Sequence, residues 1–387
     1  MSKIISTLSK MWLKVVNLEN SLFPELKKSL RIEEFSSKES KLIRVLDFAE
    51  IEKYIINTSS TNTPKNREQI TRAFIAKSVY NFQTTRDLID RLHIDRTLRI
   101  LCGWRYSKDI PSEATFSRAF DEISEMQIAQ KAHAQFVKEY LSEKTFFYNA
   151  TDATKIPLRE KAVKKEKIEK IKHKAGRPKK GEIREPIKPK ILEQQKKMQS
   201  VEEKLTLVST DCGVGIKQNS KGNREVWIGG KLHISAVDGD IPITAFYSGA
   251  NVHDSSVALP LIQETSKRVN YLYDLQDAGY DADIIREFST ASGHRPIIDI
   301  NPKNSKELKA KIELMEHENK TFKYLNQHLN CDEQHYNQRS MVERVNKYLK
   351  DDFGCDKIYY QGATKVASVL AFGILSICIH QSLQLVT

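Results

Sequence analysis

The chain has 387 residues, 40% hydrophobic and 29% charged, with 62 Lys and Arg against 50 Asp and Glu for a net charge of +12. At roughly 150 residues per domain this length supports two or three domains with a full core, which excludes a peptide ligand or a disulfide-stapled mini-protein. The positive excess favours a polyanionic partner, and the odd set Cys102, Cys212, Cys331, Cys355 and Cys378 has no CxxC pair, against a disulfide framework or a structural zinc and in favour of a reducing cytosol.

The first residues, MSKIISTLSKMWLKVVNLENSLF, break their apolar positions with Lys10 and Lys14 and lack a small-residue cleavage site, unlike a signal peptide. From Ile4 to about Leu141 apolar residues recur at spacings of three and four, which predicts an all-helical domain over 1–141. Gly103 and SKDIPSE interrupt the pattern. Ser112 can then cap a helix in ATFSRAFDEI, whose Ala114, Phe116 and Phe120 must pack on something. This is a candidate helix-turn-helix with Arg118 as a groove contact, although an ordinary amphipathic helix reads the same way.

The aromatic and β-branched run TFFYNATDATKIPL changes the period and opens a second domain, 142–387. Residues 160–204 carry 16 Lys and Arg against 8 Asp and Glu, eight of the net +12, and predict a basic, exposed, mobile insertion. LTLVST, VWIGGKLHISAV and IPITAFYSG predict antiparallel strands turning at Gly213, Gly215, Gly229, Gly230 and Asp238-Gly239-Asp240. NVHDSSVALPLIQETSKRV, YLYDLQ, DADIIREF and RPIIDI then continue as helix, strand, helix and strand. The fold class is therefore α/β, a mixed sheet with flanking helices behind an all-helical domain. The segment PKNSKELKAKIELMEHENKTFKYLNQHLNCDEQH predicts a charged helix and loop bridging strand to helix. The apolar run Val366–Ile379 has 14 residues, short of the roughly 20 that span a bilayer, and predicts a buried helix and no membrane partner.

Three acids stand on elements of the second domain: Asp152 after TFFYNA, Asp277 after YLYDLQ, and Glu343 in YNQRSMVERVNKYLK. Carboxylates at the ends of neighbouring strands can converge, and a helix laid across the sheet can deliver a third, giving hard oxygen ligands for two Mg²⁺ or Mn²⁺ ions suited to phosphodiester chemistry. At about 100° per residue Tyr336, Arg339, Glu343 and Lys350 share one helical face, poor core material but suited to a metal and the phosphates of a backbone. A solvated face with an Arg339–Glu343 pair is the plainer alternative.

Tyr336-x2-Arg339-x3-Glu343-x6-Lys350 resembles the Y-(2)-R-(3)-E-(6)-K signature of DDE transposases of bacterial insertion sequences, the insertion-sequence-four type. NATDATKIP is similar to that family's first-Asp strand, LQDAGYDADII to its second-Asp turn, and HISAVDGDIPITAFYSGANVHDSS to the block between them. The resemblance covers Phe146 to about Leu383. It implies a ribonuclease-H-like core with Asp152, Asp277 and Glu343 as the metal triad, while Tyr336, Arg339 and Lys350 hold phosphates or the displaced end. It also implies double-stranded DNA as partner, both element ends and target, a homodimer in the DNA complex, and a cytoplasmic, nucleoid-associated protein. Only 66 residues separate Asp277 from Glu343, too few for a large β-rich insertion, so no hairpin route of excision follows. A catalytically silent DNA-binding derivative and a stand-alone nuclease are the alternatives.

GRPKK, with Arg177, Lys179 and Lys180, resembles an AT-hook core, and general phosphate binding would use the same residues. In GANVHDSS, Asp254 is expected to cap a helix with His253 orienting it. Asp238 and Asp274 are read as structural acids, Asp277 being preferred to Asp274.

Overall fold

The computed structural model describes residues 2–55, 66–163, 189–218, 222–302, 305–326 and 331–386. The amino-terminal region is helical: α1 (Ser2–Asn17), α2 (Phe23–Leu30), α3 (Ser37–Ala49), α4 (Glu52–Ile55), α5 (Arg67–Val79), α6 (Thr85–Ile94), α7 (Arg96–Cys102), α8 (Glu113–Glu125) and α9 (Ile128–Tyr140). Ser36 and Thr84 begin α3 and α6 by accepting from the amides of Glu39 and Asp87, whose carboxylates accept in return from the cap amides. Such reciprocal caps fix helix starts in the sequence itself.

Helix α5 is buried along most of its length, and its Phe74 ring lies 6.2 and 4.4 Å from those of Phe116 and Phe120 on α8. Of the α8 positions expected to pack, Ala114 instead faces solvent. Phe116 and Phe120 are four residues apart on one face, and Ala114 is about 200° away from Phe116. Arg118 is exposed. Residues 103–112 separate α7 from α8, longer than the three- to four-residue turn of a helix-turn-helix.

The second region is built on β1 (Thr145–Pro157), β2 (Gly213–Gln218), β3 (Arg224–Val237), β4 (Ile241–Gly249), β5 (Asn270–Gln276) and β6 (Arg295–Ile298). The sheet runs β2-β3-β1-β5-β6, with β4 also on β3; β1, β2 and β4 pair antiparallel with β3, and β1, β5 and β6 are parallel. Between and after the strands lie α10 (Ile191–Lys197), α11 (Val201–Thr206), α12 (Ala258–Arg268), α13 (Asp283–Ala291), α14 (Lys306–Asn326), α15 (Cys331–Asn337), α16 (Ser340–Asp351) and α17 (Ala363–Gln384).

Three sequence expectations are corrected. LTLVST is not a strand but the end of α11 and a turn, because Ser200 and Glu203 close a capping box just upstream and commit the chain to a helix. Gly213 and Gly215 are not turn residues but part of β2, and Gly229 and Gly230 lie inside β3; a Cβ on Gly215 would stand 2.2 Å from the Trp227 ring, so glycine there makes room for the indole. The basic segment is not exposed throughout: α10 and α11 pack on the sheet's helices, and buried Gln195 donates to the carbonyls of Lys204 and Ser256 at 3.1 and 2.8 Å.

Helix α17 is long and apolar enough to cross a membrane, yet 72% of its most apolar window is buried inside the protein. It packs against α3, α5, α8 and α9 on one side and β4 and α16 on the other, so one core runs through both regions.

Candidate active site

The parallel register brings the two aspartates together. Every β1–β5 pair is offset by the same 125 residues, ending at Thr151–Gln276, and one step further stand Asp152 and Asp277; Asp152 lies inside β1, paired with Ile234 on β3, rather than after the strand as expected. The β5–β6 register, ending at Gln276–Ile298, places Asp299 next in the row. Adjacent strands are roughly 4.8 Å apart, so the carboxylates of Asp152 and Asp277 leave the sheet as neighbours. Asp277 is fixed by capping a short 3₁₀ turn, accepting from the Gly279 amide at 2.9 Å.

Helix α16 lies across this face. Val342, Val345 and Leu349 are buried, and Asn346 from the same helix donates to Asp152 at 3.1 Å. Glu343 projects at the rim, 55% exposed, and accepts from Arg339. Among the described residues no three His, Cys, Asp or Glu side chains are grouped closely enough to hold an ion. The structure therefore joins Asp152 and Asp277 directly and brings Glu343 to the same edge through Arg339, whose guanidinium feels the charges of all three acids.

The single helical face expected for Tyr336, Arg339, Glu343 and Lys350 is broken. Helix α15 stops at Asn337, and residues 338–341 turn through i to i−3 bonds (Gln338 to His335, Arg339 to Tyr336, Met341 to Gln338) before α16 continues. The tighter turn rotates Tyr336 toward β6, where its hydroxyl donates to Asp299. A phenol has one proton, so Tyr336 has none left for a phosphate in this arrangement. Lys350 does reach the edge: burial first, then the charges of Lys155 and Lys217, lower its proton affinity, and the carboxylates of Asp356 and Asp152 oppose the fall.

Burial raises the Asp152 carboxyl to about 6, with the neighbouring Asp277 adding to the rise and the Ala153 amide, Arg339 and Lys217 opposing it. Burial raises Asp277 as well, against the Gly279 amide and Arg339, with Asp254 adding. Two crowded carboxylates of raised proton affinity form a hard, anionic site. Asn346 Oδ1 and the Tyr280 hydroxyl are buried beside it without partners. This donor set fits Mg²⁺ or Mn²⁺ in chemistry.

Asp274 points to the opposite face, fully buried, and accepts from Asn149, Gln276 and Ser289. Asp238 accepts from the Phe147 and Tyr148 amides. Both are structural acids. At 253–257 the cap is His253, accepting from the Ser255 amide, while Asp254 pairs with Lys231 at 2.8 Å; the expected roles are exchanged. Arg177, Lys179 and Lys180 lie outside the described residues. Sequence reading missed Asn346, Lys155 and Lys217. Asn346 was signalled by its place one turn after Glu343, whereas the lysines become neighbours only through sheet pairing.

This mixed six-stranded sheet, with Asp152 on the central strand β1 and Asp277 just past its parallel neighbour β5, defines a ribonuclease-H-like protein. The family described as Transposase DDE domain matches residues 150–379, more than half of the chain, and Transposase domain (DUF772) matches residues 30–122. The chain belongs to the DDE transposase family. No curated protein and no solved structure gives a match.

Proposed function

We propose that this chain is the transposase of an insertion-sequence-four-type element, a cytoplasmic, nucleoid-associated protein that binds the element's terminal repeats and catalyses metal-dependent strand cleavage and strand transfer. The observation that supports this most is the shared register of Asp152 and Asp277 beneath the helix carrying Glu343. These three residues would hold one or two Mg²⁺ or Mn²⁺ ions, Glu343 by exchanging its Arg339 partner. The bound ions supply a lowered pKa for the attacking water or hydroxyl and stabilisation of the leaving oxygen. Lys350, with Lys155 and Lys217, binds phosphates beside the acids, and Arg339 offsets charge as Glu343 leaves it. Residues 1–141, with Arg118 on the open face of α8, and the basic residues Arg177, Lys179 and Lys180 add sequence-independent grip on duplex DNA. Two copies pair the element ends.

The test is incubation of the protein with a plasmid carrying its own flanking genomic ends, with and without Mg²⁺ or Mn²⁺, alongside Glu343→Gln, with the cut strands mapped. Metal-dependent nicks at the repeat ends, absent in the variant, are expected. A catalytically silent derivative, the reading that the Arg339–Glu343 pair favours, would bind the ends and cut nothing; a simple nuclease would nick without joining.

A further inference from the structure

Helix α16 is tied to the sheet by side-chain bonds at its two flanks. Asn346 donates to Asp152 at 3.1 Å, and on the opposite side Arg344 grips Asp240 with both arms, Nε and Nη2 to the two carboxylate oxygens at 2.8 and 2.7 Å. Arg344 is the residue next to Glu343. Its partner comes from 104 positions away, in the turn joining β3 to β4.

Asp240 stands in the tight turn of the β3–β4 hairpin. Its φ is +59°, in the left-handed region that glycine and asparagine occupy most easily, directly after Gly239 at +83°. Its carboxylate side is nevertheless 13% exposed and fully engaged by Arg344, which is itself about half exposed. An ion pair with one partner this open adds little to stability, no more than the backbone conformation takes away. A hairpin turn of this shape accepts glycine or asparagine equally well, so the turn alone does not account for the two-armed bond that carries Asp240 to α16 beside Glu343.

We propose that Asp240 and Arg344 are positioning residues for Glu343: the two-armed bond fixes the rotation of α16 about its axis, so that Glu343 is aimed at Asp152 and Asp277 when it leaves Arg339. The apolar packing of Val345 and Leu349 fixes how close the helix lies to the sheet. That packing sets the helix's rotation only to within the width of its apolar stripe, because aliphatic contact is non-directional; the bidentate guanidinium–carboxylate bond, with Asn346–Asp152 on the other flank, narrows it. This inference rests on the assignment of Glu343 to the metal triad made above.

The experiment compares wild type with Asp240→Asn, Arg344→Gln and the double variant, by Mn²⁺ titration followed by electron paramagnetic resonance, by DNA-end affinity, by thermal unfolding and by single-turnover cleavage. Asparagine suits the left-handed backbone, so a turn with only a structural role would tolerate Asp240→Asn. Each single variant is expected to weaken Mn²⁺ binding by about tenfold or more and to slow cleavage in parallel, as removal of an outer partner does at metal sites. Tm should stay within about 2 °C, DNA-end affinity should not change, and the double variant should be no worse than the poorer single one. Mn²⁺ binding and cleavage at wild-type levels in both single variants, or losses that multiply in the double variant, overturn the inference alone. Should Asp240→Asn fail to fold, Arg344→Gln decides the matter from the exposed partner. Wild type that neither binds Mn²⁺ nor cuts overturns the triad assignment, and the inference with it.

Discussion

At the scale of the residue, the decisive group is Asp152. Its carboxyl is raised from the ordinary 3.8 to about 6, mainly by burial. Between those values Asp152 holds a proton in the folded protein that it has lost in the unfolded chain, so its own contribution to stability falls as pH rises from about 4 to 6 and is then level. Asp152→Asn removes the buried charge. At pH 7.5 it should stabilise the fold by up to about 3 kcal/mol, two pKa steps' worth, and at pH 4 it should change almost nothing. Urea unfolding of both proteins at the two pH values checks this; a gain equal at both would refute the burial account. The same carboxyl must lose its proton to bind a cation, so affinity for Mn²⁺ should climb through pH 6, the direction opposite to that of this group's contribution to stability.

At the scale of the element, β2 and β3 show how a glycine read as a turn signal becomes a packing residue. Gly215 faces the indole of Trp227, which is buried and donates from Nε1 to the Gly230 carbonyl at 3.2 Å. Gly215→Ala should displace that ring and cost about 1–3 kcal/mol, the range for overpacking. Urea unfolding and a red shift of tryptophan emission would register it. Unchanged emission would mean that the strand can shift to accommodate the methyl group. Because Lys217 lies two residues along the same strand, the variant should also weaken binding of cut DNA ends.

The helix carrying Glu343 gives the complementary lesson. Helical periodicity accounts for the buried Val342, Val345 and Leu349 and the outward Glu343 once the helix is seen on the sheet. It also gave one continuous face from Tyr336 to Lys350, and there it failed: no glycine or proline announces the break at residues 338–339, and the α15 side of the break is anchored far along the chain, Tyr336 to Asp299 and His335 to Tyr148.

At the scale of the whole molecule, α17 ties the helical region to the sheet and makes the two fold against each other rather than as beads on a linker. The basic charge is distributed differently. Eight of the net +12 belong to residues 160–204, and part of that segment, α10 and α11, is packed into the body. Arg177, Lys179 and Lys180 precede those helices in the sequence and can be replaced together by Ala without changing a helix residue. That replacement should flatten the plot of log affinity against log salt by up to about 2.7, near 0.9 for each phosphate no longer neutralised. A slope unchanged in titrations from low to moderate salt would move the phosphate grip to the helical region and to Lys155, Lys217 and Lys350.

By itself the sequence determined the helical and α/β regions, most of their elements, and the acids carried by β1 and by the turn after β5. These follow from side-chain period, turn residues and caps, which act over a few neighbours along the chain. Only the tertiary structure decided that a 125-residue separation is a strand register that sets Asp152 beside Asp277, that Glu343 is held by Arg339, and that Asp240 grips the helix bearing it. Those relations depend on which strands pair and how a helix is rotated on a sheet, and both are fixed by interactions between residues far apart in sequence.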